Sequence, residues 1–587
     1  MCFATWVTEM TDYDILIRGG TVIDGTMIPR FRADVGIKDG RIAKIGARRG
    51  TTADRVIDAG DNIVAPGYID IHTHYDAQIL WDPYCTISGW HGVTSVVLGN
   101  CGFGFAPVGP ELRERAMLMM TRNEAIGLET MKQGMQWDRY GWETLPEWLE
   151  HVKRIPKGVN ATMLVPLNPL YAYVMGGIDE AKERRPTADE KRQMKKLMFE
   201  ALDHGACGFS YQRCGVPSVQ PDWDGSPMIT DMLPDHEIIE FGAALGEYGR
   251  GFIEMFDAAP SDHDTVEAFM TSLARASGRP IVRNILLAND DHPKRHRAFL
   301  DWLDESHEEG LQVFGMGFTV RSPTVLTFED WSLWDGTPAW HRVMNGSREE
   351  RARLMRDEEM RKLLRAEMDT GFVGGLGTSG RADKLVVNDT AGYAQLDKYL
   401  NRSVSEIAAA EGRHVADVIL DVALESEFKA EFRGNAYDTS AKTTAEVLNN
   451  PYVVPGISDG GAHTHFSVQG AYPTDLLEWL VREEGLISAE HAHHGLSRLP
   501  AHMCGLGDRG ILREGAPADL VVYNPDTIRR LPSWDTLEKL RDLPADEWRL
   551  VQRAGGLNYT MVNGKVTFEG LQCTGATPGE LLLLGND

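Results

Sequence analysis

Apolar and polar residues alternate with a period of two at both ends of the chain. "YDILIRGGTVID", "ADVGIKDGRIAKIG" and "RVIDAGDNIVAPG" read as short strands punctuated by Gly-Gly, Asp-Gly and Ala-Gly, and "GAPADLVVYNPDT" and "YTMVNGKVTFEG" repeat the pattern near the C-terminus. Isolated hairpins are marginal in water, so residues 1–64 and 507–587 are expected to pack together as one small β-sandwich.

The middle follows another rule. Eight short apolar runs occur in order: "GYIDIHTH", "TSVVLGNCG", "ATMLVPLN", "GACGFSY", "GFIEMFD", "RPIVRNILL", "LQVFGMGF" and "YVVPGISDGG". Stretches with helical apolar spacing and a Gly stop, such as 187–205 and 265–278, separate several of them. Eight β-then-α units predict an α/β fold, a (β/α)8 TIM-like barrel over residues 65–506, with functional groups at the C-terminal strand ends. An open doubly wound sheet would need a nucleotide-type Gly loop after an early strand, and no G-x-G-x-x-G stands there. Residues 321–450 are too many for a simple loop. They hold a Trp-rich segment (Trp331, Trp334, Trp340) and two helical stretches, "SREERARLMRDEEMRKLLRAEMD" and "SVSEIAAAEGRHVADVILDVALESE", and are expected to form a lid or subdomain over the barrel mouth.

Composition narrows the function. A formal charge of −26 leaves no excess of Lys and Arg to neutralise phosphates, which argues against a nucleic-acid partner. Seven scattered cysteines without a C-x-x-C pair support neither a disulfide framework nor a zinc knuckle, so a reducing cytoplasm is expected. The start lacks the basic and apolar regions of a signal peptide, and no stretch is apolar enough to span a bilayer. A homo-oligomer is compatible with all of this.

Candidate chemistry gathers at strand ends. Alternation along "YIDIHTH" puts Asp70, His72 and His74 on one face and Ile69, Ile71 and Thr73 on the other. Three inward polar groups need compensation, which a divalent cation, most simply zinc, supplies. Cys101 in "GNCGFGFAP" ends the second run between glycines, where a thiolate would suit that cation. Asp459 in "GISDGGAH" ends the eighth run, placed to touch both a metal and its water. The second His-Thr-His, His463 and His465, lies beyond the eighth strand in a loop. There a solvated pair is the plainer reading, with His463 kept as a substrate-site candidate. "EHAHHG" (490–495) reads as exposed, and Cys207 as core.

"APGYIDIHTHYDAQ", "GNCGFGFAP", "SDGG" and "LGDRGILREGAPADLVVYNPDT" together resemble the amidohydrolase superfamily, and within it the N-acyl-D-amino-acid deacylase (D-aminoacylase) branch, over nearly the whole chain. The resemblance implies a metal-dependent barrel hydrolase, usually zinc, with His72, His74 and Cys101 matching metal ligands and Asp459 the catalytic aspartate. The chain also departs from the pattern. The family's fifth- and sixth-strand histidines are absent from "GFIEMFD" and "RPIVRNILL", where Glu254 and Asn284 are the available oxygen donors. The basic residue after the paired histidines and the Arg that clamps a substrate carboxylate are missing too. Arg213 and Arg321 are the candidate replacements.

These readings converge on hydrolysis of an N-acyl or cyclic amide, a small-molecule substrate that need not carry a carboxylate. A cation-activated hydroxide would be the nucleophile and Asp459 the general acid and base. A ring deaminase on the same scaffold, and a non-catalytic barrel that has lost its metal ligands, are the alternatives.

Overall fold

In the computed structural model the described residues are 11–46, 50–216, 218–257, 263–290, 292–319, 321, 323–329, 334, 337–370, 382–435 and 439–584. All eight apolar runs become neighbouring parallel strands: β1 (Tyr68–Asp70), β2 (Val93–Leu98), β3 (Asn160–Pro166), β4 (Ala206–Arg213), β5 (Phe252–Asp257), β6 (Ile281–Leu286), β7 (Val313–Phe318) and β8 (Val453–Gly456). A parallel bridge between Thr73 and Gly460, just past the ends of β1 and β8, brings the first and last strands together. The barrel is nearly closed.

Inside it, Ile69, Val97, Leu164, Cys207, Phe252, Val282, Phe314 and Val454, one side chain from each of the eight strands, share one buried cluster. This corrects one expectation. Ile69 and Ile71 belong to the inner cluster, so Asp70 faces the other way, where Ser88 Oγ donates to its Oδ2 at 3.1 Å. The strand ends at Asp70 and the chain bends at His72. The histidines therefore reach the mouth by leaving the strand, and β1 keeps its isoleucines for the core.

The helices expected at 187–205 and 265–278 are Ala188–Asp203, with a capping box of Thr187 and Glu190, and His263–Ser277.

Both chain ends join in one mixed nine-stranded sheet, in which Ile63–Pro66 pairs antiparallel with Leu520–Tyr523. Side chains from the two ends, Ile17, Val35 and Ile37 with Leu520, Val522 and Met561, share a single core. Two hairpins there turn on Asp39-Gly40 and Asn563-Gly564, where both residues of each pair have positive φ (50° and 77°, 45° and 72°). That conformation matches the twist of the strands and favours Gly at the second position.

The long insertion has its own hydrophobic core and a three-stranded antiparallel sheet of Pro323–Leu326, Glu431–Asn435 and Val386–Asp389. Trp334 and Trp340 are fully buried and stack at 5.4 Å, which makes them core of the insertion; Trp331 lies outside the described residues. Each long helical stretch is two helices. Arg348–Arg356 and Glu358–Asp369 break at Asp357, whose side chain caps the second helix, and Val404–Glu411 and Val415–Glu425 break at Gly412 (φ 63°). A cap residue and a left-handed glycine each end a helix whatever the apolar period beyond them.

Among the described residues no helix is long and apolar enough to cross a membrane. The cysteines among them are all free.

Candidate metal centre

The mouth of the barrel is held by hydrogen bonds that tie β1 to its neighbours. Asn100 Nδ2 donates to Thr73 O (3.1 Å) and Val97 O (2.9 Å), Ser458 Oγ donates to His72 O (2.7 Å), and His74 N donates to Gly460 O (2.7 Å). Gly461 (φ 92°) lies against His74, and a Cβ there would stand 2.7 Å from the His74 carbonyl oxygen. Only glycine combines that backbone with that approach.

On this frame one ligand atom each from His72, His74 and Cys101 lies within 4.8 Å of the others, all three residues buried. His72 Nε2 is 3.4 Å from Cys101 Sγ and 3.2 Å from Asp459 Oδ1, and His74 Nε2 is 3.8 Å from the same oxygen. Cys101 (φ 55°) and Asp459 (φ 43°) both take left-handed backbone, which costs about 1–3 kcal/mol each for such residues and is held by surrounding structure. Asp459 is 13 % exposed where His72 is 2 %, so the carboxylate lies on the solvent side of the group.

Glu254 and Asn284 stand behind His72. Glu254 Oε1 is 3.4 Å from His72 Nδ1, Asn284 Nδ2 contacts both that nitrogen and Glu254 Oε1, and Cys101 N donates to Glu254 Oε2 at 2.8 Å. A ring cannot offer Nε2 to an ion and have the groups at its Nδ1 reach the same ion. Their position is that of partners that orient a ligating imidazole, which tune affinity without touching the metal.

Sequence reasoning missed Glu124. It ends the helix Arg113–Glu124, is fully buried, and neither carboxylate oxygen has a hydrogen-bond partner. Oε1 faces His74 Nε2 and Oε2 faces His463 Nε2, each at 3.7 Å. The one available signal is an acid in the last turn of a helix, where it opposes the macrodipole. His463 Nε2 is also 3.6 Å from Asp459 Oδ2. Its neighbour His465 instead stacks on Trp548 at 4.2 Å and is hydrogen-bonded to Trp548 O. The two members of the second His-Thr-His thus part company. "EHAHHG" is not exposed as expected: His493 is fully buried, His493 and His494 are hydrogen-bonded to Tyr523 OH and Gly25 O of the terminal segments, and His491 to Leu448 O.

The electrostatics of the cluster are those of a site that wants a cation. Burial pushes Glu124 well above the usual carboxylate range, and Asp459 beside it adds to the rise. Burial works against a charged His72, yet Cys101, Asp459 and Glu254 outweigh it and raise its pKa well above the ordinary value. Burial, then His72, brings His74 down to about 3, so its ring is neutral and able to ligate. Buried anions without such neutralisation cost several kcal/mol each. Imidazole, thiolate and carboxylate donors, with the unpartnered oxygens of Glu124, fit a divalent cation of the zinc type.

The two arginines are already committed. Arg213 pairs with Asp235 and Asp257 at 3.1 Å, and Arg321 with Asp475 at 2.9 Å and Glu483 at 3.5 Å. Cys207 Sγ donates to Met163 O inside the barrel. Near the Cys101 turn lies a small cavity of ≈ 40 Å³ lined by Gly104, Pro107, Met119, Ala172 and Ile229, and its Lys182 is paired with Asp222 at 2.7 Å.

Comparison with known proteins agrees with this architecture. The amidohydrolase family profile matches residues 347–568. An uncharacterised protein of Mycobacterium tuberculosis is 28% identical over 554 residues, covering 88% of this chain and 85% of that protein. The D-aminoacylase of Alcaligenes xylosoxydans xylosoxydans is 25% identical over 592 residues, 98% of each chain. The crystal structure of an N-acyl-D-glutamate deacylase from Bordetella bronchiseptica, complexed with zinc and a phosphonate inhibitor, superposes with a TM-score of 0.64 at 23% identity, over 97% of this chain and 99% of that one. In fold and sequence the chain is similar to the amidohydrolase family and, over nearly its whole length, to D-aminoacylases.

Proposed function

We propose that the chain is a metal-dependent hydrolase of a neutral N-acyl or cyclic amide, with Asp459 moving the proton. The observation that carries the reading is the convergence of His72, His74 and Cys101 within 4.8 Å beside Asp459 at the mouth of the barrel. His72 Nε2, His74 Nε2, Cys101 Sγ and Asp459 Oδ1 would hold a divalent ion, zinc by donor type and by likeness to the zinc-complexed deacylase. Such an ion, when bound, polarises a carbonyl and lowers the pKa of a water.

The remaining work falls to the chain's own groups. Oδ1 of Asp459 faces the two histidines, which leaves Oδ2, on the side of His463, free to take a proton from the attacking water. The same oxygen returns it to the departing nitrogen, because an amine leaves badly as an anion. Glu254 and Asn284 fix the ring of His72 from behind.

A neutral substrate follows from charge. Arg213, Arg321 and Lys182 are each held by carboxylates of the protein, while Glu124, Glu254 and Asp459 crowd the mouth. Neither of these two arginines is free to give a substrate carboxylate the bidentate guanidinium that such anions favour.

The test pairs elemental analysis with a panel of N-acyl and cyclic amides, each with and without a carboxylate. Expected are a tightly held divalent metal, loss of turnover on chelation with recovery on zinc, and preference for the neutral members. Metal-free, inactive protein, or release of ammonia as product, contradicts the proposal.

A further inference from the structure

The floor of the barrel, at the end opposite the histidines, gathers positive charge around open space. Leu499, Ala501, Met503 and Leu584 join the inner apolar cluster, so the segment 499–506 and the C-terminal stretch close that floor. Against them lies a cavity of ≈ 320 Å³, lined also by the turns that lead into β5, β6 and β7. Its polar side chains are Arg250, Arg279, Gln312, Arg498 and His502, and no acid stands among its described lining residues.

Two of the turns are built alike. "YGRGF" and "SGRPI" each stop a helix, Asp235–Tyr248 or His263–Ser277, on a left-handed glycine (Gly249, φ 89°; Gly278, φ 58°). Each then sets an arginine two residues before a strand. Ile253 N donates to Pro280 O at 2.8 Å and Ile281 N to Gln312 O at 2.9 Å, which holds the three turns side by side. On the facing wall Arg498 and His502 stand four residues apart along continuous helix and share one side of it.

These cations are not spent on the protein's own acids. Arg279 Nε donates to Gly278 O at 3.1 Å and its Nη1 contacts Gly249 O, so it covers the carbonyl ends of both helices, which would otherwise repel an anion. Arg498 Nη1 donates to Gly507 O at 3.4 Å. Among the described residues neither has a carboxylate partner, and a guanidinium carries five donors. Arg250 is anchored by Tyr248, whose hydroxyl accepts from it at 2.9 Å and donates to Asp203 at 2.6 Å. Asp508, next to Gly507, turns to Arg509 Nε at 3.8 Å. Elsewhere in this chain of net charge −26, Arg213, Arg321 and Arg530 are each matched by carboxylates.

We infer that this cavity binds the phosphate group of a small molecule, at a site remote from the reacting atoms and independent of the hydrolase reading. Guanidinium forks match phosphate oxygens two at a time, and here they come from two opposed walls. The volume is at the lower end of that of ligand pockets, which suits a phosphate with a sugar-sized body. Such a ligand is an effector or a stabiliser of the folded chain, since the strands separate it from the mouth of the barrel.

Calorimetric titration of the metal-loaded full-length protein with inorganic phosphate and with ribose 5-phosphate, in a buffer without other polyvalent anions, tests this. Saturable binding with a rise in Tm is expected. Tighter binding of the ester shows that an organic body is read as well; equal affinities assign the site to phosphate itself. Arg279→Gln and Arg498→Gln, checked for native circular dichroism, should each weaken binding about tenfold or more, and chelation of the metal should leave it unchanged. A wild type that binds neither probe overturns the inference. Affinity undiminished in both variants, or binding that vanishes on chelation, puts the anion elsewhere and overturns it too, with the hydrolase reading untouched.

Discussion

At the scale of single residues, the proposal assigns each side chain a separable task. Asp459→Asn keeps an oxygen for the ion but loses the proton acceptor. Its kcat is expected to fall about 10²–10⁴-fold, the usual worth of a general acid–base, with metal content unchanged. Parallel kinetics and elemental analysis check this, and full activity would refute the assignment. Much of this chemistry was legible in the sequence: an H-x-H after an apolar run, a Cys between glycines and an Asp-Gly-Gly all fall at strand ends. Two things were not. Alternation placed Asp70 with the histidines, but the barrel core claims Ile69 and Ile71 and the chain bends at His72. Glu124 lies in "MTRNEAIG", which reads as an ordinary helix end, and only the meeting of that end with the loop after β8 reveals it.

At the scale of elements, the core of the insertion reaches the candidate site. It holds Ala125 and Phe466, next to Glu124 and His463. Trp340 is fully buried there, and its Nε1 donates to Leu364 O at 3.2 Å. Trp340→Ala is expected to destabilise the insertion by about 3–5 kcal/mol, the usual effect of such a truncation. Limited proteolysis should then cut first within 321–450, while the barrel stays folded. Proteolysis spread evenly over the chain would show instead that the insertion and barrel unfold as one. The sequence announced helices here, and it hid their breaks, since apolar spacing continues across Asp357 and Gly412 while caps and left-handed backbone end the helices.

At the scale of the whole molecule, the eightfold β-then-α order and the strand-rich ends were readable because period and turn residues are local. How the ends meet the barrel was not, because those contacts join residues hundreds of positions apart. Arg30, from the N-terminal segment, makes a two-pronged pair with Glu490, both hydrogen bonds 2.8 Å, on the short helix Ala489–His493. That hydrogen-bonded pair brings Glu490 down to about 2. A depressed carboxylate pKa stabilises the fold above the unfolded value, about 4.3, and the gain is lost as pH falls towards 2. Arg30 is 43 % exposed, so the pair is worth about 1 kcal/mol or less. Arg30→Ala should therefore lower Tm slightly at neutral pH and match the wild type near pH 2. Thermal melts across that range decide it; an undiminished difference in acid would assign the effect to packing.

The whole account turns on a cation at the mouth of the barrel. Anomalous scattering at the zinc edge from crystals of the zinc-loaded protein tests that most directly. A peak within bonding distance of His72 Nε2, Cys101 Sγ and Asp459 Oδ1 is the predicted result. A map with no peak among those atoms, in crystals whose protein carries zinc elsewhere, would contradict it.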